Sequence, residues 1–402
     1  MSGRLHKTRD MKFLHTSDWQ IGKTWSRLPA EAQARFDAAR LAAIKRLGKL
    51  AVEQGCSFIV VAGDVFEHNS LREETLGRAK EALRALPVPV VLLPGNHDPL
   101  TADSIFSQTQ DLKGVSVIKD MEPFSPVPGV EIVGAPLVTR HPSQDLAAAA
   151  LAGLGPQRGS NGPRIVIAHG QTQGYGAAEG PALLDLATME QALEQGIVDY
   201  IALGDTHSTQ QVGSTGKIFY SGSPEVTDFH DLDTGGGENN SGNALVVEVT
   251  PGPSGIYGDG PSTVRTTCFP VGEWTFETFK EEVSAAADVQ RFIRRLEDYP
   301  EKQDTVVKYS LVGTLSLEDM QVLRAELERL QPIFAALYPR ERTSDLRVQP
   351  TPEDIASLNF TGFAQDVVAE LTARLEADEA DAVAQEALFL LYRLANAETG
   401  DK

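Results

Sequence analysis

Cysteine is nearly absent: Cys56 and Cys268 are the only two in 402 residues. Two thiols cannot build a disulfide framework, so the reducing cytoplasm is the expected compartment. Long apolar runs are missing too, and no stretch approaches the roughly 20 residues that a membrane helix needs. The opening segment, residues 1–10, is basic but lacks the apolar centre of a secretory signal. It is expected to be a disordered tail, or an extension ahead of a start at Met11. Positive charge is the third shortage, with 36 Lys+Arg against 56 Asp+Glu and a formal charge of −20. Residues 271–402 hold 14 Lys+Arg against 26 Asp+Glu, which leaves −8 on residues 1–270. Polyanions are normally gripped by neutralising their phosphates, so this chain alone should hold duplex DNA weakly.

What is present is a recurring pair of features: an apolar, strand-like run followed at once by a short polar cluster. Phe13-Leu14 leads into Ser17-Asp18-Trp19-Gln20, and Phe58-Ile59-Val60-Val61 into Gly63-Asp64. Val90-Val91-Leu92-Leu93 leads into Gly95-Asn96-His97-Asp98, and Ile165-Val166-Ile167 into His169-Gly170. Tyr200-Ile201-Ala202-Leu203 leads into Gly204-Asp205-Thr206-His207. Buried parallel strands read as continuous apolar runs, and open α/β sheets present ligands at the carboxyl ends of their strands. One rim therefore collects Asp18, Gln20, Asp64, Asn96, His97, His169, Asp205 and His207, a set that matches a dinuclear metal site. Phosphodiester hydrolysis needs a nucleophile near neutral pH and neutralisation of the phosphoryl oxygens. Two cations roughly 3.5–4 Å apart supply both. One carboxylate must bridge them, and Asp64 is the residue expected to do so.

The order and spacing of these clusters resemble the calcineurin-like metallophosphoesterases, over about residues 11–230. Gly95-Asn96-His97-Asp98 is the most specific piece. Within that superfamily, residues 15–23, 63–67 and Phe219-Tyr220-Ser221-Gly222-Ser223-Pro224-Glu225 look like the SbcD-type exonucleases. These are nuclease subunits of bacterial double-strand-break repair, related to the archaeal and eukaryotic MRE nuclease. The resemblance implies a four-layer αββα metallophosphoesterase sandwich of α/β class with a C-terminal α+β capping domain. It implies two divalent cations, one held by Asp18, Gln20, Asp64 and His207, the other by Asp64, Asn96, His169 and Asp205. His97 would donate a proton to the leaving oxygen or hold the scissile phosphate. DNA and an SbcC-like coiled-coil ABC-type ATPase are the implied partners, with homodimerisation left open.

Two residues depart from the family pattern. Gln20 puts a neutral amide, and Asp205 a carboxylate, where an imidazole is usual. Both changes move the ligand set toward oxygen, which favours Mn²⁺ or Mg²⁺ over Zn²⁺ and Mn²⁺ first. Both replacements can still ligate, so an active variant site is preferred to a decayed one kept as a non-catalytic scaffold. A cyclic-nucleotide or other small-phosphoester phosphodiesterase is the competing enzyme, against which the long C-terminal extension weighs.

Other polar and aromatic residues have plainer readings beside the functional ones. Lys23 and Arg27 are candidate phosphate contacts or solvated loop charges. Trp19 and Trp25 could stack on a base, but packing of the following loop suits large aromatics better. His15 reads as a hydrogen-bonded core histidine, His68 as a surface-loop residue, and Asp228 and His230 as loop structure.

Four parts are expected: a tail over 1–10, the nuclease domain over 11–272, a cap over 273–350 and an acidic helical segment over 351–402. Helices are expected near 30–54 and 73–86, the first stopped by Gly55 and the second by Pro87. Residues 153–163 and 233–242 read as loops. Strands 244–249 and 264–271 should form a hairpin across the long loop 250–262. In the cap, 306–312 and 346–348 read as strands, and Ser316 could cap a helix carrying Met320, Leu323, Leu327 and Leu330. The last 52 residues hold 3 Lys+Arg and 11 Asp+Glu. There Phe360, Phe363, Val367, Leu371 and Leu375 form one apolar stripe, and residues 388–392 a second patch. Each could pack on the cap or dock a partner.

Overall fold

The computed structural model describes residues 10–155, 162–172, 182–230, 237–250, 252, 254–255, 258–259, 262–349, 360–378 and 381–397. Residues 1–9 of the expected tail, the centre of the 153–163 loop and parts of the 233–242 and 250–262 loops lie outside these. So does the start of the acidic segment. The chain divides into two units, Met1–Ser26 with Gln33–Trp274, and Arg27–Ala32 with Thr275–Lys402.

In the first unit β1 (Met11–Thr16), β2 (Ile59–Val61), β3 (Val90–Leu92) and β4 (Val115–Val117) run parallel. The antiparallel hairpin of β10 (Asn243–Thr250) and β13 (Thr263–Pro270) extends this sheet beyond β1. The short ribbon of β11 (Ser254–Gly255) and β12 (Gly258–Asp259) lies within the hairpin's loop. A second sheet has the order β5 (Glu131–Gly134), β6 (Arg164–His169), β7 (Tyr200–Gly204), β9 (Ile218–Tyr220), β8 (Gln210–Val212). Only β8 runs antiparallel to its neighbour there.

Side-chain alternation builds four layers from these sheets. Phe13, Val60 and Val91 point from the first sheet onto Ile165, Ile167, Tyr200 and Ala202 of the second, forming one buried cluster. Phe13 and Phe58 stack there with centroids 5.1 Å apart. The opposite face carries Leu14, Ile59, Val61 and Leu92 against α1 (Ala30–Glu53) and α2 (Glu73–Arg84), through Ile44, Leu47, Ala79 and Leu83. The second sheet's outer face packs on α3 (Leu146–Ala152) and α4 (Leu186–Glu194). Burial on both faces is why β2, β3 and β7 carry no polar alternation. Trimming one such leucine to alanine should cost about 2–5 kcal/mol.

The second unit pairs β14 (Thr275–Glu282), β15 (Thr305–Leu315), β16 (Ala336–Pro339) and β17 (Asp345–Val348) in parallel. α5 (Ala286–Glu297), α6 (Leu317–Leu330), α7 (Phe363–Ala377) and α8 (Ala382–Ala397) share its core. Ser316 does cap α6, its hydroxyl accepting the Asp319 N–H at 3.0 Å. β14, α5 and β16 were not anticipated, although Val289, Phe292, Ile293 and Leu296 bury one helical face. Leu371, Leu375, Leu388, Phe389 and Tyr392 pack into this core. Phe363 departs from the expected stripe and is 83% exposed. It is the first residue of α7, where no preceding turn shields it.

Candidate metal centre

Five strands end at one place in the first unit, and the chain turns sharply after them. Among the described residues, the non-glycine positions with positive φ are Asp18 (53°), Gln20 (42°), Asp64 (53°) and Asp205 (98°). Left-handed backbone costs an L-residue roughly 1–2 kcal/mol and concentrates at functional sites. All four were singled out as ligands from the sequence. The turns are knitted together by Asp18 N–H donating to the Gly63 carbonyl at 3.0 Å and Gln20 N–H to the Asp64 carbonyl at 2.9 Å. Gly95 is needed because a Cβ there would collide with the Asp64 carboxylate.

Asp18, Asp64 and His169 each bring a ligand atom within 4.8 Å of the others, and all three are buried. His169 Nε2 lies 3.4 Å from Asp64 Oδ1, 3.6 Å from Asp205 Oδ1 and 2.8 Å from Asn96 Oδ1. His207 Nε2 lies 3.9 Å from Asp18 Oδ1 and 3.1 Å from Gln20 Nε2. The seven expected ligands are therefore gathered into one cluster, in which Asp18, Gln20, Asp64 and His169 are buried and Asn96, Asp205 and His207 half-buried. His97 stands beside it, with Nε2 3.9 Å from Asp64 Oδ2 and Nδ1 donating to the Glu67 carbonyl at 3.0 Å.

The electrostatics of the cluster call for positive charge. Burial opposes ionisation of Asp64, yet His169 and His97 outweigh it and hold its pKa at about 2. Burial dominates at Asp18 and lifts it to about 6. Burial likewise opposes the His169 imidazolium, but Asp64, Asp18 and Asp205 raise its pKa well above the ordinary value. Its Nδ1 donates to the Ala62 carbonyl at 2.8 Å, while its Nε2 faces the Asn96 oxygen. The buried Gln20 Oε1 and Asp205 Oδ2 have no hydrogen-bond partner. Carboxylates, orphaned oxygens and an imidazole nitrogen aimed at an oxygen together form a donor set that fits divalent cations.

Of the remaining candidates, Lys23 lies close enough to the cluster for its charge to oppose protonation of His207, and the others take structural places. Lys23 donates its backbone N–H to the Gln20 carbonyl at 3.0 Å. Arg27 belongs to the second unit, its guanidinium 5.2 Å over the Tyr338 ring. Trp19 is buried and donates to Thr16 Oγ1 at 3.0 Å, and Trp25 packs on Phe229 with centroids 5.8 Å apart. His15 is buried against Tyr200 Oη at 3.0 Å, and His68 turns to Ser70.

Sequence reading missed several supporting residues. Asp98 accepts the N–H groups of Gly95 and Phe66 at 2.7 and 2.9 Å and so shapes the Asn96 turn. Burial, then the nearby Asp64, raises its pKa to about 8. Ser221 donates to Ser17, which donates to Asp18 Oδ2 at 2.5 Å. Thr227 and Glu238 stand behind His207. Asp98 lay within a recognised motif, but Thr227 and Glu238 sit in loops whose local sequence carries no signature.

The model of the family described as calcineurin-like phosphoesterase matches residues 11–209. Over 96 residues, 23% of this chain, the sequence is 34% identical to the DNA double-strand break repair protein Mre11 of Archaeoglobus fulgidus. Over 94 residues, 22% of this chain, it is 36% identical to the SbcD component of the nuclease SbcCD of Rhodobacter capsulatus. The matched stretches cover 20% and 22% of those two relatives, well under two thirds of their length. A solved dimetal phosphatase from Danio rerio aligns with 64% of this chain and 98% of its own, at 12% identity and a TM-score of 0.36. No helix among the described residues is long and apolar enough to cross a membrane.

Proposed function

Through residues 11–209 the chain belongs to the calcineurin-like phosphoesterase family, and from that we propose that it is a two-metal phosphodiesterase that cleaves DNA. The observation carrying this reading is the convergence of Asp18, Asp64 and His169 within 4.8 Å, at turns where the ligand positions are strained. DNA as substrate is supported by the matched segments of a repair protein and a nuclease component. An SbcC-like coiled-coil ATPase is the proposed partner. It would supply the grip on phosphates that a chain of charge −20 lacks.

When bound, a pair of divalent cations, Mn²⁺ before Mg²⁺, supplies a nucleophile near neutral pH and neutralises the phosphoryl oxygens. The chain's own residues do the rest. Asp64, buried and ionised, would serve both cations. Asp18, Gln20 and His207 would hold one with it, and Asn96, His169 and Asp205 the other. The His97 side chain is 34% exposed, and its Nδ1 is committed to the Glu67 carbonyl. Nε2 is therefore the nitrogen left to face the substrate, where the imidazolium form would hand a proton to the leaving oxygen or orient the phosphate.

The test is hydrolysis by the purified chain with Mn²⁺ of linear DNA, cyclic nucleotides and bis-p-nitrophenyl phosphate. Cleavage of DNA is expected. Activity confined to the small esters would turn the reading toward a small-substrate phosphodiesterase, and no hydrolysis at all toward a scaffold.

A further inference from the structure

Behind His207 lies a hydrogen-bond chain that no motif announces. His207 Nδ1 is 2.5 Å from the Thr227 hydroxyl, and that hydroxyl donates to Glu238 Oε2 over 2.5 Å. A threonine hydroxyl has one proton. With that proton committed to the carboxylate, the oxygen can only accept from the ring, so Nδ1 carries the imidazole hydrogen. Nε2 keeps its lone pair on the side of Gln20 and Asp18, 3.1 Å from Gln20 Nε2 and 3.9 Å from Asp18 Oδ1.

Glu238 is itself fixed. It is buried, its Oε1 accepts the Thr227 N–H at 2.7 Å, and its own N–H donates to the Phe229 carbonyl at 3.2 Å. Its Oε2 also stands 3.4 Å from His207 Nδ1. Burying a carboxylate is costly unless it is fully hydrogen-bonded, and here Thr227 supplies both its N–H and its hydroxyl to the two carboxylate oxygens.

Resting on the two-metal reading, we propose that Thr227 and Glu238 are positioning residues for the cation shared by Asp18, Gln20 and His207. They set the tautomer and ring orientation that present Nε2 as a donor, and the carboxylate makes that donor more basic. This matters more here than with three strong ligands, because Gln20 offers only a carboxamide. Outer partners of this kind typically change metal affinity about 10–100-fold.

Calorimetric titration with Mn²⁺ alone tests this on the full chain, with Glu238→Gln, Thr227→Val and Thr227→Ser. The first two should loosen one binding step about 10–100-fold and spare the other, while Thr227→Ser, which keeps the hydroxyl, should bind like the parent. ¹⁵N NMR of the metal-free parent at mildly alkaline pH should find the His207 proton on Nδ1, and needs no variant to fold. A parent protonated at Nε2, or two steps indifferent to both substitutions, overturns the proposal and leaves the two-metal reading standing. Binding that depends on Thr227 and Glu238 in a chain that cuts no DNA supports the proposal and overturns DNA as the substrate.

Discussion

The Gln20 side-chain nitrogen lies 3.1 Å from His207 Nε2 and leaves the buried Gln20 oxygen without a partner. The lone pair that would bind a cation is thus occupied by an amide hydrogen, and the amide must turn before its oxygen can ligate. Metal binding at this side competes with a hydrogen bond that an imidazole at position 20 would not make in the same way. Two unequal Mn²⁺ steps are therefore expected, with the weaker at Gln20 and metal-dependent hydrolysis following it. Gln20→His should tighten that step, because imidazole is the better donor to first-row transition ions. Equal steps, or looser binding by the variant, would count against this account.

Asp64→Ala should abolish metal-dependent hydrolysis and leave the fold intact, since the side chain is proposed to serve both cations and packs no apolar core. Activity assays paired with circular dichroism and metal analysis decide it. Retained activity with unchanged stoichiometry would remove Asp64 from the bridging role.

His97→Ala should still bind two cations per chain and lose roughly 10²–10⁴-fold in rate, the usual contribution of a general acid or base. Loss of a cation in that variant would instead make His97 a ligand.

His15 gives a prediction about stability. Burial holds its pKa at about 3, below the ordinary 6.5, so the unfolded chain takes up a proton that the folded one refuses. The unfolded state binds more protons between these values, so stability falls as pH drops below about 6.5 and this contribution flattens near about 3. By about pH 5 the loss should reach roughly 2 kcal/mol. Denaturant unfolding of the parent and His15→Gln at about pH 7 and about pH 5 reads the difference. Parallel pH dependence in the two proteins would show that His15 titrates normally.

Legibility from sequence tracked how local the physics is. Asp18, Asp64, Asn96 and Asp205 stood out because each follows a buried strand directly, and strand ends advertise themselves through apolar runs. Thr227 and Glu238 did not, because their partner His207 lies 20 and 31 residues away in sequence and no periodicity links them. β14 was hidden by its own chemistry: Thr275–Glu282 carries four charged residues in eight and pairs as a strand through its register with β15. Phe363 misled for the opposite reason, since helical spacing aligned it with Leu371 and Leu375 but could not reveal that it opens its helix. The two-sheet sandwich was readable as a family pattern, whereas the facing of Phe13 and Val60 toward Ile165 and Ile167 needed coordinates.

The left-handed turns at Asp18, Gln20, Asp64 and Asp205 also bear on how this chain would change if its site fell idle. Glycine adopts that backbone freely, so replacements such as Asp205→Gly would relax the apo fold while removing a ligand. Drift toward glycine would then be downhill in stability, and most such trades run against activity. A lineage that no longer needed the cations would be expected to lose these side chains early. This chain carries non-glycine residues at all four positions, each an oxygen donor, as the proposed metal site requires despite the conformational cost.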